Sequence, residues 1–334
     1  MFHGFPDVQI APRDTVISEE FHLHDKEGRM GTLLQPMAQR MRISFSALTC
    51  LGSYAQNATC HYALFGRLCG VQLNETIEVT NVLPPVINPR PPEDETPEQR
   101  EKRLLAQQRE ERQMYERMGK MFFKEELDSY HVGYFAICSA YTNAPYSVRT
   151  VQQLAQLALD GNPSVLVVYD PFRTSLMGKL YLRAFVPTRE YVEFYTRLID
   201  KRNILRENRL MRECNVGKGG VLREVKVEVD VDEYQLLCLS GFNVAPLSST
   251  CRTLHSEVMT DYMAALIESV RHNADELSRG LHSESYFSQK EESYGPLGQR
   301  IDTLLKLMQL REQTQHLESL CDGVLINTSL LRDL

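Results

Sequence analysis

From Met41 onward, hydrophobic and polar positions fall into short runs whose periods can be read directly. Apolar and polar residues alternate around Met41–Ile43, which predicts a strand, and a helix follows with Ser44 or Ser46 as its N-cap. HYALFGRLCGVQLNETIEVTNVLPPV reads as two strands joined in the Asn74–Glu75 turn region, a hairpin. A Pro- and acid-rich link, PRPPEDETPEQ, leads to a charged helix that starts near Pro97 and carries mixed charges at i,i+4 spacing. SYHVGYFAICSAY is a compact apolar strand, followed by a loop around Thr142–Pro145 and a helix over Ser147–Leu159. SVLVVYDPF predicts a buried strand closed by Asp170–Pro171, and GKLYLRAFVPT pairs naturally beside it. A helix over Glu190–Arg212 and a turn at Gly217–Gly220 then lead to LREVKVEVDVDEY. There Val225, Val227, Val229 and Val231 alternate strictly, a strand with one buried face.

Beyond Pro246 the pattern is purely helical. Leu254, Val258, Tyr262, Leu266, Val270 and Leu277 lie on one stripe of a long helix, and a polar stretch around residues 279–298 separates it from a second. In that second helix Leu310, Leu317, Val324 and Leu331 recur every seven residues, beside Leu307, Leu320 and Leu330. Such a stripe suits packing onto its own domain or docking into a multi-chain bundle, and its width favours a partner. The helix from about Gly298 to Leu334 is therefore expected to serve assembly and to stand outside the core. The resulting division is an extended arm over 1–39, a domain over 40–246 with a charged helical insertion at about 97–126, and a helical region over 247–334.

Composition narrows the function classes. The 334 residues are 43% hydrophobic and 24% charged, enough for a packed core and against wholesale disorder. A net charge of −7 excludes a generally basic, nucleic-acid-coating protein and confines any RNA contact to a local patch. Eight cysteines without a CxxC pair read as reduced thiols. With no run of about 18 apolar residues and no apolar leader in MFHGFPDVQIAPRDTVISEE, a soluble intracellular chain is expected.

Candidate chemistry is sparse. His22 and His24 with Asp25 lack a third positioned ligand and read as solvated surface of the arm. Gly217–Gly220 lacks the spacing and following Ser/Thr of a phosphate loop. Cys138 ends a buried strand without His or Asn partners in sequence, and reads as a small hydrophobe. Asp170, ahead of Pro171, suits an Asx-type turn cap, and the helix over Glu98–Glu126 reads as a solvated face.

The order of these elements, with VGYF before the loop and VVYDPF after it, resembles the MPN-domain family. The resemblance covers residues 41–187 best and implies an α/β fold: a curved mixed sheet flanked by helices, followed by C-terminal helices that form a bundle. Enzymes of that family are zinc isopeptidases that need a Glu, a His-x-His-Pro, a Ser and an Asp. Laid over this chain, the Glu falls on Ala63, the two His on Ala136 and Cys138, the Pro on Ser139, and the Ser and Asp on about Tyr146 and Arg149. The resemblance thus implies a degenerate site, no catalysis, no metal and no cofactor. TIEVTNVLPPV, DSYHVGYFAICSAY, SVLVVYDPFRT and GKLYLRAFVPT look most like MPN subunits of eukaryotic translation initiation factor 3. What that implies is a cytoplasmic scaffold paired with an f-type MPN subunit and joined to PCI-type subunits through a helical bundle. It would meet the small ribosomal subunit indirectly, with no membrane and no sequence-specific nucleic acid. An inactive subunit of the proteasome lid or of the COP9 signalosome is the competing expectation.

Overall fold

Alternation over RMRIS makes β1 (Arg40–Ser44), with Met41 and Ile43 wholly buried. The Ser44 hydroxyl ends it by accepting from the N–H of Ala47, which starts α1 (Phe45–Gln56). The computed structural model describes residues 38–56, 64–85, 97–138, 146–171, 173–174, 180–199, 207–232, 235, 249–289 and 299–332. Then follow β2 (Leu64–Leu73) and β3 (Thr76–Val82), the antiparallel hairpin turning at Asn74–Glu75, and α2 (Pro97–Lys124). Next come β4 (His131–Ile137), α3 (Val148–Leu159), β5 (Val165–Tyr169) and β6 (Leu182–Pro187). The helix expected over Glu190–Arg212 is present as α4 (Arg189–Ile199) and α5 (Glu207–Glu213), on either side of residues outside those described. A single turn, α6 (Val216–Gly219), precedes β7 (Leu222–Asp230). The chain finishes with α7 (Ser249–Gln289) and α8 (Gln299–Arg332). α7 runs ten residues past the expected break at Arg279, because Leu277 and Leu281 continue its apolar spacing and no proline interrupts it.

The chain is α/β, but the expected flanked, curved MPN-type sheet is not what forms. β1 pairs in parallel with β3, from Arg40↔Thr76 to Ile43↔Val79, and also in parallel with β7, from Arg40↔Lys226 to Ser44↔Asp230. The seven strands therefore close into a barrel in the order β1-β3-β2-β4-β5-β6-β7. The physical reason lies in β7: Val225, Val227 and Val229 share one face, and closure onto β1 covers them where an open sheet would leave them at an edge.

The interior cluster draws on all seven strands, including Met41, Leu68, Ile77, Phe135, Val167, Val186 and Val225, and receives Ala47, Leu51 and Ala55 of α1. A second cluster covers the outer face of β4, β5 and β6. There Ala136, Leu166, Val168 and Phe185 carry Val151 and Leu154 of α3, Tyr191 and Phe194 of α4, and Met211 of α5. Ile301 and Leu305 of α8 are buried in this same cluster. The expectation that the last helix stands outside the core is corrected on this point: its first turns complete the core. Further along, α7 and α8 pair through Tyr262, Leu266 and Leu320, with Leu317 half-buried beside them. No helix among the described residues is long and apolar enough to cross a membrane.

Candidate functional site

The densest polar constellation lies where α8 crosses the outer wall of the barrel, and its centre is Glu312. Tyr146 precedes Ser147, whose hydroxyl caps α3 by accepting from the N–H of Thr150 at 3.1 Å. Its ring packs edge-on to Phe185 with centroids 5.3 Å apart, and its hydroxyl donates to Glu312 Oε2 at 2.7 Å. Tyr181 and Arg183 lie two residues apart where the chain enters β6. The Tyr181 hydroxyl donates to Glu312 Oε1 at 2.5 Å, and Arg183 Nη1 reaches the same oxygen at 2.8 Å. Arg183 also forks onto Glu224 of β7 through two bonds of 2.7 Å. The Arg173 guanidinium lies 3.6 Å from the centroid of the Tyr181 ring and 3.6 Å from Glu312 Oε1.

The electrostatics follow from burial and from this one carboxylate. Burial, then the neighbouring Glu312 charge, pushes both tyrosine hydroxyls above their ordinary range, so both stay protonated and donate to the carboxylate, while the Tyr181 oxygen also accepts from Arg183 Nη1 at 3.4 Å. Burial works against the Arg183 charge, but the Glu224 hydrogen bonds and the Glu312 charge outweigh it and keep the guanidinium protonated. Both Glu312 oxygens are thus taken by phenols and guanidinium groups. The arrangement is a charge-compensated clasp between a helix and a sheet.

Three of the aligned isopeptidase positions, Ala136, Cys138 and Tyr146, fall in one buried cluster. Ala136 is fully buried in the outer cluster, opposite Val168 on β5 and Phe65 on β2. Cys138 is buried in the same cluster, with its N–H donating to the Tyr169 carbonyl at 3.0 Å. Tyr146 joins them, whereas Arg149 is exposed on α3. Ala63 and Ser139, like His22, His24 and Asp25, lie outside the described residues. A methyl group, a core thiol and a phenol already held by a carboxylate do not fit a zinc ligand set. Among the described residues, no group of three His, Cys, Asp or Glu side chains is placed to hold a metal ion. Asp170 caps its turn as its sequence suggests, with Oδ1 accepting from the N–H of Arg173 at 2.9 Å. Of the heptad positions, Leu310 and Leu317 are half-buried, and the side chains of Val324 and Leu331 lie outside those described.

Glu312, Tyr181, Arg183 and Arg173 were not singled out by sequence reasoning. The one sequence signal touches two of them: Tyr181 and Arg183 alternate with the apolar Leu182 and Ala184 at the start of β6. A separate cleft of about 450 Å³ opens between α5, α6 and the α7–α8 pair, lined by Met211, Leu281, Leu304 and Leu307 with Arg212 and Arg300 among its polar lining.

No family model matches the chain, and no curated protein matches it. Among solved structures, it is similar to the solution structure of protein DSY2949 from Desulfitobacterium hafniense. That likeness has 13% identity and a TM-score of 0.30, covering 58% of this chain and 96% of the other. At this level it shows neither a shared fold nor a shared activity.

Proposed function

We propose that the chain is a non-catalytic scaffold subunit of the eukaryotic translation initiation factor 3 type, with its h subunit as the nearest resemblance. In this reading it is cytoplasmic and acts in assembly of the 43S pre-initiation complex on the small ribosomal subunit. An f-type subunit and PCI-type subunits are its neighbours. The observation that carries the non-catalytic part is the filling of the aligned site. Ala136 and Cys138 are core residues, and Tyr146 is committed to Glu312. The assignment to initiation factor 3 rests on the four segments whose sequence resembles its MPN subunits.

Affinity capture of the tagged full-length chain, followed by mass spectrometry, tests the assignment. Initiation-factor subunits and small-subunit ribosomal proteins support it. Proteasome-lid or COP9-signalosome subunits would instead make this chain a scaffold for protein turnover. Cleavage of ubiquitin chains by the purified protein would overturn the non-catalytic reading.

A further inference from the structure

The docking of α2 sorts its charges by face in a way the sequence alone does not show. Tyr115 is buried with Cys69 and Leu83, Met114, Met118 and Phe122 pack around it, and the Arg67 guanidinium lies 4.1 Å from the Tyr115 ring centroid. These contacts fix the inner face. At 100° per residue, the opposite arc of about 140° carries Lys102, Arg109, Arg112, Arg117, Lys120 and Lys124, all exposed. Between Lys102 and Lys124 the same arc contains one acid, Glu116. Glu116 lies four residues from both Arg112 and Lys120, yet among the described residues none of those six cations forms an ion pair with an acid. Arg117 donates to the carbonyl of Gln113 in its own helix.

We infer that this outward face of α2 is a binding surface for the phosphate backbone of unpaired RNA, read without regard to sequence. Three features converge on that occupant. From Arg109 on, successive cations are three to five residues apart, about 4.5–7.5 Å of helix rise, and the whole row spans about 33 Å, so it tracks a linear polyanion. Phe123 sits inside the basic arc and is 79% exposed, which offers a ring for a base to stack on beside the cations. The chain as a whole carries −7, so a polyanion needs a local basic surface, which this face of α2 supplies. An acidic peptide would answer the charges but gives Phe123 no role, whereas a nucleotide strand uses both. The surface does not depend on the proposed place in initiation: a scaffold held only by protein neighbours would fail the test below and remain a scaffold.

The test is fluorescence anisotropy of the full chain with a labelled oligouridine of about 20 nucleotides, titrated at several salt concentrations from about 50 mM upward. Binding is expected at low salt. The triple variant Arg112→Gln, Lys120→Gln, Lys124→Gln should weaken it about tenfold or more and lower the slope of log affinity against log salt by about 2, near 0.7 for each lost phosphate contact. Phe123→Ala should weaken binding at least about fivefold while leaving that slope unchanged, as loss of a stack requires. A control triple with the same charge change elsewhere, Arg40→Gln, Arg149→Gln, Arg311→Gln, should bind like the parent. Circular dichroism establishes that each variant is folded. Absence of oligouridine binding at about 50 mM salt overturns the inference. So does equal weakening by the control triple, or displacement of the RNA by polyglutamate of matched length at equal concentration, which would mark a surface for acidic protein segments.

Discussion

Removing the Glu312 carboxylate takes the acceptor from two phenol hydroxyls and the nearby counter-charge from Arg173, while Arg183 keeps Glu224. The Glu312 side chain is 18% exposed, so solvent only partly compensates the loss. Glu312→Ala is expected to cost about 3 kcal/mol of unfolding free energy, and Glu312→Gln less, because the amide still accepts one hydroxyl. Arg149→Ala, on an exposed helix face, should stay within about 0.5 kcal/mol. Urea unfolding of the three variants side by side decides whether the clasp is an anchor; equal midpoints for Glu312→Ala and Arg149→Ala would dismiss it. A matching outcome concerns the aligned ligand positions. Ala136 is fully buried in the cluster that holds Leu166 and Phe185, so Ala136→His with Cys138→His forces volume and unpaired ring nitrogens into a filled core. That double variant is expected to lose about 2–4 kcal/mol and gain no thermal stability from added zinc, whereas a zinc-dependent rise in Tm would mean that the site can be rebuilt. Residue-level legibility was uneven for a physical reason. Tyr146 was reached only as an aligned motif position, and nothing in its local sequence marks it as a partner of a distant carboxylate. Its partner Glu312 is 166 residues away and is one acid among many on a mixed-charge helix, so nothing local distinguishes it.

Among the elements, α8 does two jobs along its length. Its first turns are core: Leu305→Ala should cost about 2–5 kcal/mol, whereas Leu307→Ala, at 43% exposure, should change stability little. Its middle pairs with α7 through a seam that is partly polar. Asn273 donates to Gln313 at 2.8 Å, Gln313 donates to Ser269 at 3.0 Å, and the Tyr262 hydroxyl meets His316 Nε2 at 2.8 Å. The heptad spacing of Leu310 and Leu317 was legible, but spacing cannot say which helix fills the seam. Leu317 packs with Tyr262 and Leu266 of the same chain, so Leu317→Asp is expected to weaken the helix pair itself. The seam also carries a pH dependence. Burial, with Arg173 adding to it, lowers His316 from 6.5 to about 4. Above pH 6.5 the imidazole is neutral whether the chain is folded or not. Between 6.5 and about 4 the unfolded chain takes up the proton and the folded one does not, so stability falls as the pH falls. His131 on β4, buried beside Arg67 and lowered to about 4, has the same sign and window. His316→Gln should therefore flatten, without abolishing, the loss of Tm between pH 6.5 and 4; an unchanged profile would show that the acid sensitivity lies elsewhere.

At the scale of the molecule, the alternation, capping and turn signals gave the individual strands and helices, because each rests on residues close in sequence. Closure does not. β1 is five residues long, and its parallel partners on β7 lie more than 180 residues away, so no local period announces that it has two neighbours. The resemblance implied a curved, flanked sheet, and no local signal was present to correct it to the closed barrel that forms. The difference is measurable at Arg42, whose exposed side chain pairs with Glu78 at 3.1 Å while its backbone lies between Glu78 of β3 and Glu228 of β7. A proline there removes one ladder N–H and collides with the strand geometry. At the edge of an open sheet, such a change disturbs the single neighbouring strand or none. In a closed barrel it acts on a central strand, with an expected loss of about 3 kcal/mol or more. Backbone amide exchange of Arg42→Pro should then quicken on both flanks, at Ile77–Val79 and at Val227–Val229, while the far wall at Val165–Val167 is less affected. Faster exchange on one flank alone would mean that β1 is an edge and the barrel is not closed.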